Sequence, residues 1–359
     1  MACIKKYATA TGHAWRVQYR SPDGRSRTKQ GFRTKAQAQA WAETNAATIH
    51  TGGWVDPNAG TITVGELGEQ WLSMQTHLKP KTMHNTRQIW RNHVHPAWGT
   101  RPIGDILPSE VQSWVANIGR GASLVRQAHA LLAQILDMAV RDGRIKANPA
   151  RGVRLPSKPR GAKVYLTAGQ LARLAGECSK HSELVWLLGT VGLRWGEAAA
   201  LRVRDVNVVR QRISVERNAV TIGSEIAIGT PKTHERREVA VPAVVMGRLR
   251  PLLEGKGPDA LLWARADGSP LRLPSSGDWY YRALGRVQEA DPDFPRVTPH
   301  GLRHVAAGLM VSSGANVKVV QRQLGHASAA MTLDIYADLF DGDLDEVGRS
   351  MDVLISRAV

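Results

Sequence analysis

Residues 148–163, NPARGVRLPSKPRGAK, limit what this chain can fold into more than any other stretch. They are rich in Pro, Gly and cations and too poor in apolar side chains to enter a core. The stretch reads as an interdomain linker that, fully extended, spans roughly 50 Å. A second break at residues 52–60 contains Gly52, Gly53, Pro57 and Gly60. A chain of 359 residues, 43% of them hydrophobic, has enough apolar material for a core on each side of these breaks. The expected organisation is multidomain, mainly α with small β-sheets. It comprises a first domain at 1–60, a second at 61–150, a linker at 151–163 and a last domain at 164–359.

The charge is strongly positive, 48 Lys and Arg against 31 Asp and Glu, or +17. Residues 1–60 carry nine basic and three acidic side chains, 61–155 twelve and six, and 156–359 27 and 22. An excess in every block suits several surfaces sharing one polyanion, nucleic acid above all, although a merely basic soluble protein has the same totals. Cys3 and Cys178 are too few for a disulfide scaffold or a cysteine-built zinc site and fit a reducing compartment. No window approaches 18 uncharged apolar residues, and MACIKKYATATGHAW lacks the apolar run of a signal peptide. A cytoplasmic chain with no membrane partner is expected.

In the first block, residues 13–19 and 25–32 read as two strands around the turn Ser21-Pro22-Asp23-Gly24, followed by an alanine-rich helix over 34–49. A sheet face bearing Arg16, Tyr19, Arg20, Arg25, Arg27 and Lys29 could enter a DNA groove, or be simply solvated. The second block reads as four helices, over 64–74, 81–93, 108–118 and 123–141. Lys79, Arg87, Arg91 and Arg126 fall on or beside their polar faces, where they could track phosphates or only meet water. His84, His93 and His95 have no carboxylate or cysteine at ligand spacing, so no metal is expected there.

The last block holds the chemistry. In GTVGLRWGEAAAL (189–201), Arg194 and Glu197 stand three apart in an apolar setting. They could be an ion pair closing a helix end, or a brace that fixes the arginine fork for a phosphate. Residues 225–228 and 237–241 read as strands of a hairpin whose connection carries Lys232, exposed or reaching a neighbouring site. In TPHGLRHVAAGLM (298–310), Thr298 caps a helix with Pro299 in its first turn, which sets His300, Arg303 and His304 at one end. A zinc helix is excluded because Gly301 stands where the acid of HExxH would be. Residues 317–324 form a helix stopped by Gly325, His326 follows, and Ser328 starts a helix through 339 that contains Tyr336. By type alone, Tyr336 is a packing residue.

Taken in order, GLRWGE (192–197), PKTHERR (231–237), HGLRHVAAGL (300–309), VQRQLGH (320–326) and MTLDIY (331–336) resemble the tyrosine recombinases of the phage-integrase family. The resemblance spans the last domain, and the layout before it is similar to the family's long members. It implies an arm-type DNA-binding domain of sheet plus helix, a four-helix core-binding domain, and a mixed α+β catalytic domain of tyrosine-recombinase type. The implied activity is site-specific recombination through a 3′-phosphotyrosyl intermediate, integrating or excising a mobile element such as a prophage in a bacterial host.

Residue by residue, the resemblance makes Tyr336 the nucleophile and Arg194 and Arg303 the phosphate clamp. Lys232 is then the general acid, His300 the base, His326 a phosphate contact and Glu197 a support. The chain departs from the family at Gly301, where an acidic residue is frequent. The resemblance further implies no ATP, metal or other cofactor, and a homotetramer on DNA attachment sites. A DNA-bending host factor and an excision factor would be accessory partners, and residues 341–359 could dock on a neighbouring subunit. A type IB topoisomerase shares the chemistry, but the arm domain favours recombination. A non-catalytic DNA-binding protein leaves the Arg, Lys, His and Tyr set as coincidence, and a metal nuclease explains the histidines poorly.

Overall fold

A computed structural model describes all residues except 1, 11, 55, 57, 58, 159–162, 230–235, 327, 337–342, 358 and 359. The side chains of 331, 334–336, 343–347, 350 and 354 also lie outside the description. The chain divides into two units, residues 1–159 and 160–359.

The first unit opens on an antiparallel sheet ordered β1 (Cys3–Thr9), β2 (Gly12–Arg20), β3 (Ser26–Phe32). The sequence suggested only β2 and β3. β1 (CIKKYAT) is largely exposed and held by backbone pairing from Cys3↔Gln18 to Thr9↔Gly12, so it carries little apolar signal. Alternation along β2 turns Val17 and Tyr19 inward, onto Ala38, Ala42 and Trp41 of α1 (Lys35–His50). Thr34 caps α1 by accepting from Gln37 N at 3.2 Å. The break after α1 is not a bare spacer: Trp54 Nε1 donates to Asn45 Oδ1 (3.1 Å), and its ring meets Tyr19 edge-on.

A helical block follows: α2 (Val64–Ser73), α3 (Pro80–Ile89), α4 (His95–Trp98), α5 (Pro108–Asn117) and α6 (Ala122–Arg141). α3 runs into α4 through one π turn at Trp90–Val94, where His95 N reaches Trp90 O. Pro96, which cannot donate, lies just beyond and disturbs the ordinary ladder. Leu67, Trp71, Trp90, Leu132, Ile135 and Leu136 form this block's core, separate from that of the sheet.

The extended-linker expectation fails for residues 148–156, because their backbone groups find partners on this block. His129 Nε2 lies 2.8 Å from Ala150 O, and Ala150 is fully buried. Asn148 donates to Ala133 O (2.8 Å) and Asp137 Oδ1 (2.7 Å). Gln112 bonds both backbone groups of Arg154, and Arg126 Nη1 donates to Pro156 O at 3.1 Å.

The second unit packs α7 (Ala168–Gly176), α8 (Ser182–Val191) and α9 (Trp195–Ala199) beside two small sheets. One is ordered β4 (Val206–Asn207), β5 (Arg212–Val215), β8 (Arg237–Ala240); the other pairs β6 (Asn218–Ile222) with β7 (Glu225–Gly229). The hairpin expected between β7 and β8 is therefore corrected. β7 pairs locally with β6 across Gly223-Ser224, whereas β8 joins β5, where Ile213 and Val215 of β5 and Val239 of β8 are fully buried in the unit's common core. Five helices follow, namely α10 (Ala243–Leu249), α11 (Trp279–Ala290), α12 (Leu302–Ser312), α13 (Val317–Leu324) and α14 (Ala329–Tyr336), and α15 (Asp343–Ser356) comes last. α8 buries Leu184, Val185, Leu187, Leu188 and Val191 and lies between α7 and α12. Among the described residues no helix is long and apolar enough to cross a membrane.

Candidate active site

Two helix ends built on glycine organise the site. α13 closes with His326 N donating to Gln321 O (3.1 Å) and Gly325 N to Arg322 O (3.1 Å), and Gly325 has φ 66°. These are the two bonds of a Schellman stop, which needs a left-handed residue at this position. α8 ends on Gly192 at φ 75°. The released carbonyls take up the arginines. Arg303, on the first turn of α12 and 4% exposed, donates from Nη1 to Gly192 O and from Nη2 to Leu324 O, both at 2.6 Å. Arg194 Nη2 donates to Gly325 O at 3.3 Å. Helix C-termini carry partial negative charge, so both guanidiniums sit where cations are stabilised.

Glu197 completes this arrangement from the third position of α9. It is 1% exposed and accepts from Arg194 N (2.9 Å) and Arg194 Nη1 (2.9 Å). Its two oxygens also take a bidentate pair from Arg237, the first residue of β8, at 3.0 and 2.7 Å. Burial alone would raise its pKa. The bonds and charge of Arg237, then of Arg194, outweigh that and hold it below the usual carboxylate value. Arg237 was not singled out in the sequence; the signal was the last arginine of PKTHERR opening the alternating strand REVA. Glu197 thus meets a second cation, not only the local partner three residues away.

The imidazoles are kept neutral. Partial burial, then the charges of Arg303, Arg194, His304 and Arg237, push His326 down to about 4. Partial burial followed by Arg303 and Arg194 lowers His300, and burial followed by His300, Arg303 and Lys163 lowers His304. His326 Nδ1 lies 2.9 Å from the buried Thr332 Oγ1, which fixes the ring; Thr332 also went unnoticed in the sequence. The expected helix start is shifted. Thr298 Oγ1 accepts from Gly301 N (2.9 Å) in a turn that carries His300, and α12 begins only at Leu302. His300 and His304 meet edge-on with ring centroids 6.0 Å apart, beside a 290 Å³ basin rimmed by Lys163 and Arg296. Among the described residues no group of three or more His, Cys, Asp or Glu gathers to hold a metal.

Tyr336 is the last residue of α14, and its side chain lies outside the description. Lys232 also falls outside the described residues; β7 and β8, the described strands before and after it, belong to different sheets. The DNA-contact candidates divide. Arg16 and Arg20 lie on the face of β2 opposite Val17 and Tyr19, with Arg16 over the Tyr7 ring at 5.9 Å. Arg27 is removed from that face because it pairs across from the buried Tyr19. It packs over Trp54 (5.4 Å) and bonds Asp56 and Ser21. Arg25 in the turn is exposed, as are Lys79, Arg87 and Arg91. Arg126 remains exposed while bonded to Pro156 O.

Comparison with known proteins adds to this geometry. Residues 165–342 match the model of the phage integrase family, and residues 64–155 that of the phage integrase central domain. The integrase of Mycobacterium phage D29 is 28% identical over 341 residues, covering 90% of this chain and 89% of the relative. The Tn1549 transposon integrase in complex with a circular intermediate DNA superposes with a TM-score of 0.70 at 21% identity, over 81% of this chain and 99% of that one. A lambda integrase tetramer bound to a Holliday junction matches at 0.57 and 19%, over 90% and 96%. The two family models together take in most of the sequence, including every element that supplies an arginine or histidine to the site, and the chain belongs to the phage integrase family of tyrosine recombinases.

Proposed function

We propose that this site-specific recombinase cleaves and rejoins DNA at attachment sites through a 3′-phosphotyrosyl link to Tyr336, integrating or excising a mobile element. The observation that carries the reading is the convergence of Arg194 and Arg303 on the carbonyls of residues 324 and 325, next to His326. Phosphorus under attack gathers charge on its non-bridging oxygens. Two fixed guanidiniums stabilise that state more than the ground state, an effect of roughly 10²–10³ in rate per donor. A tyrosine with pKa near 10 is about 0.1% ionised at neutral pH, so attack needs a base. His300, kept neutral, can accept that proton. Lys232 protonates the departing 5′ oxygen, and His326 hydrogen-bonds the phosphate. The covalent link conserves the bond energy, so a 5′ hydroxyl from another strand reverses the step without ATP.

Exchange between two duplexes needs four cleavages, hence a homotetramer on DNA, the assembly named for the lambda relative. In this reading residues 1–60 and 61–150 grip DNA and 164–359 catalyse. A DNA-bending host factor and an excision factor then set the direction. The test is incubation with a nicked core-site duplex, followed by a denaturing gel. Wild type is expected to give a protein–DNA adduct in buffer and in EDTA alike, and Tyr336→Phe none. An adduct with Tyr336→Phe would remove Tyr336 from its role, and an adduct lost in EDTA would bring a metal into the mechanism.

A further inference from the structure

We infer that Arg237 is a positioning residue for strand cleavage: by taking up the charge of Glu197 it leaves Arg194 oriented toward the scissile phosphate. The inference rests on the site reading given above. Glu197 is buried between two guanidiniums, and Arg237 binds it with the full fork, at 3.0 and 2.7 Å, whereas Arg194 contributes one side-chain nitrogen and its backbone N–H. If Glu197 had Arg194 alone, the two charges would cancel and the fork would close on the carboxylate. With Arg237 present, Arg194 keeps an uncancelled positive charge, and its Nη2 stays on Gly325 O.

Arg237 also lies directly beneath the turn that holds the clamp. A Cβ at Gly325 would stand 2.7 Å from Arg237 Nε and 2.9 Å from its Cζ, so guanidinium and turn are in contact. That turn supplies the carbonyls bonded by Arg194 and Arg303 and leads into His326. One side chain therefore supports Arg194 through Glu197 and touches the turn under Arg303 and His326.

The experiment compares single-turnover adduct formation at saturating core-site DNA by wild type, Arg237→Lys, Arg194→Ala and the double variant. The scissile position is either a phosphodiester or a methylphosphonate, which lacks one charged non-bridging oxygen. Lysine keeps the charge but not the fork, so Arg237→Lys is expected to bind DNA as wild type does and to cleave the phosphodiester about 10²-fold more slowly. The deficit should shrink on methylphosphonate, and the double variant should be no slower than Arg194→Ala. A purely structural role would slow both substrates equally and multiply with Arg194→Ala. Either result, or a wild-type rate for Arg237→Lys, overturns the inference.

Should the lysine variant not fold, Glu197→Gln combined with Arg237→Gln leaves neither residue as a lone buried charge. With no carboxylate left to cancel Arg194, it is expected to cleave the phosphodiester within about tenfold of wild type, and a rate as slow as that of Arg194→Ala would overturn the inference. Absence of a Tyr336-dependent adduct in wild type would instead overturn the site reading, and this inference with it.

Discussion

Replacing Glu197 by alanine tests whether the carboxylate holds the second unit together or merely occupies it. Glu197 accepts four hydrogen bonds between 2.7 and 3.0 Å from two arginines and one backbone N–H. Charge-assisted bonds contribute about 1.5–3 kcal/mol each when counted singly, a sum that overshoots because the donors share one acceptor. The better guide is the cost of removing one partner of a buried pair, about 3–5 kcal/mol, because an uncompensated charge remains. Arg237 is 12% exposed, but Arg194 is 27% exposed and recovers some hydration, which places the loss near the lower limit, about 3 kcal/mol. For a unit of this size that lowers Tm by about 6–12 °C. Calorimetry on wild type and Glu197→Ala at pH 7 measures it. The folded pKa of Glu197 lies below 4.5, so its stabilisation is complete above that value and lost as pH falls through the folded one. The gap between the proteins must therefore narrow in acid. A loss under about 1 kcal/mol at pH 7, or a gap that persists unchanged well below pH 4.5, would show that the Glu197 carboxylate does not hold the second unit together.

Two further outcomes follow from the same geometry. His300, His304 and His326 all have pKa values lowered from 6.5, so the acid limb of kcat/KM for cleavage, which reports the free enzyme, is expected below pH 6.5; a limb centred at or above 6.5 excludes neutral His300 as the base. Gly325→Ala places a Cβ in the left-handed region and 2.7 Å from Arg237 Nε, so it should cost about 1–2 kcal/mol in urea unfolding and slow adduct formation at least about tenfold, and unchanged stability with unchanged cleavage would show that the turn yields freely.

What the sequence disclosed about this site was short-range. Gly325 after a helical run announces a left-handed stop, and the two bonds that follow from it place the 324 and 325 carbonyls. Arg194 and Glu197, three residues apart, announce a local ion pair, and the pair forms at 2.9 Å. Where a side chain's role depends on register, the sequence was silent or misleading. The sequence alone places Arg27 with Arg16 on one face, DNA-facing or solvated, yet pairing across from Tyr19 sends it to the opposite face. Residues 148–156 have a linker's composition, but composition does not reveal that Gln112, Asn148 and Arg126 satisfy their backbone groups.

Arg237 shows why the omission at the site itself followed. Forty residues separate it from Glu197, and the only sequence cue for β8 paired it with the wrong strand. β7 offers β8 a nearby partner, but its side chains are mostly exposed and give Val239 nothing to pack on, whereas β5 offers Ile213 and Val215. The burial of those three residues decides the pairing, and that pairing delivers a guanidinium to Glu197 from a direction that spacing cannot encode. A carboxylate next to an arginine can be read from three residues of sequence. Which distant cation balances it is settled by where an unrelated valine finds its core.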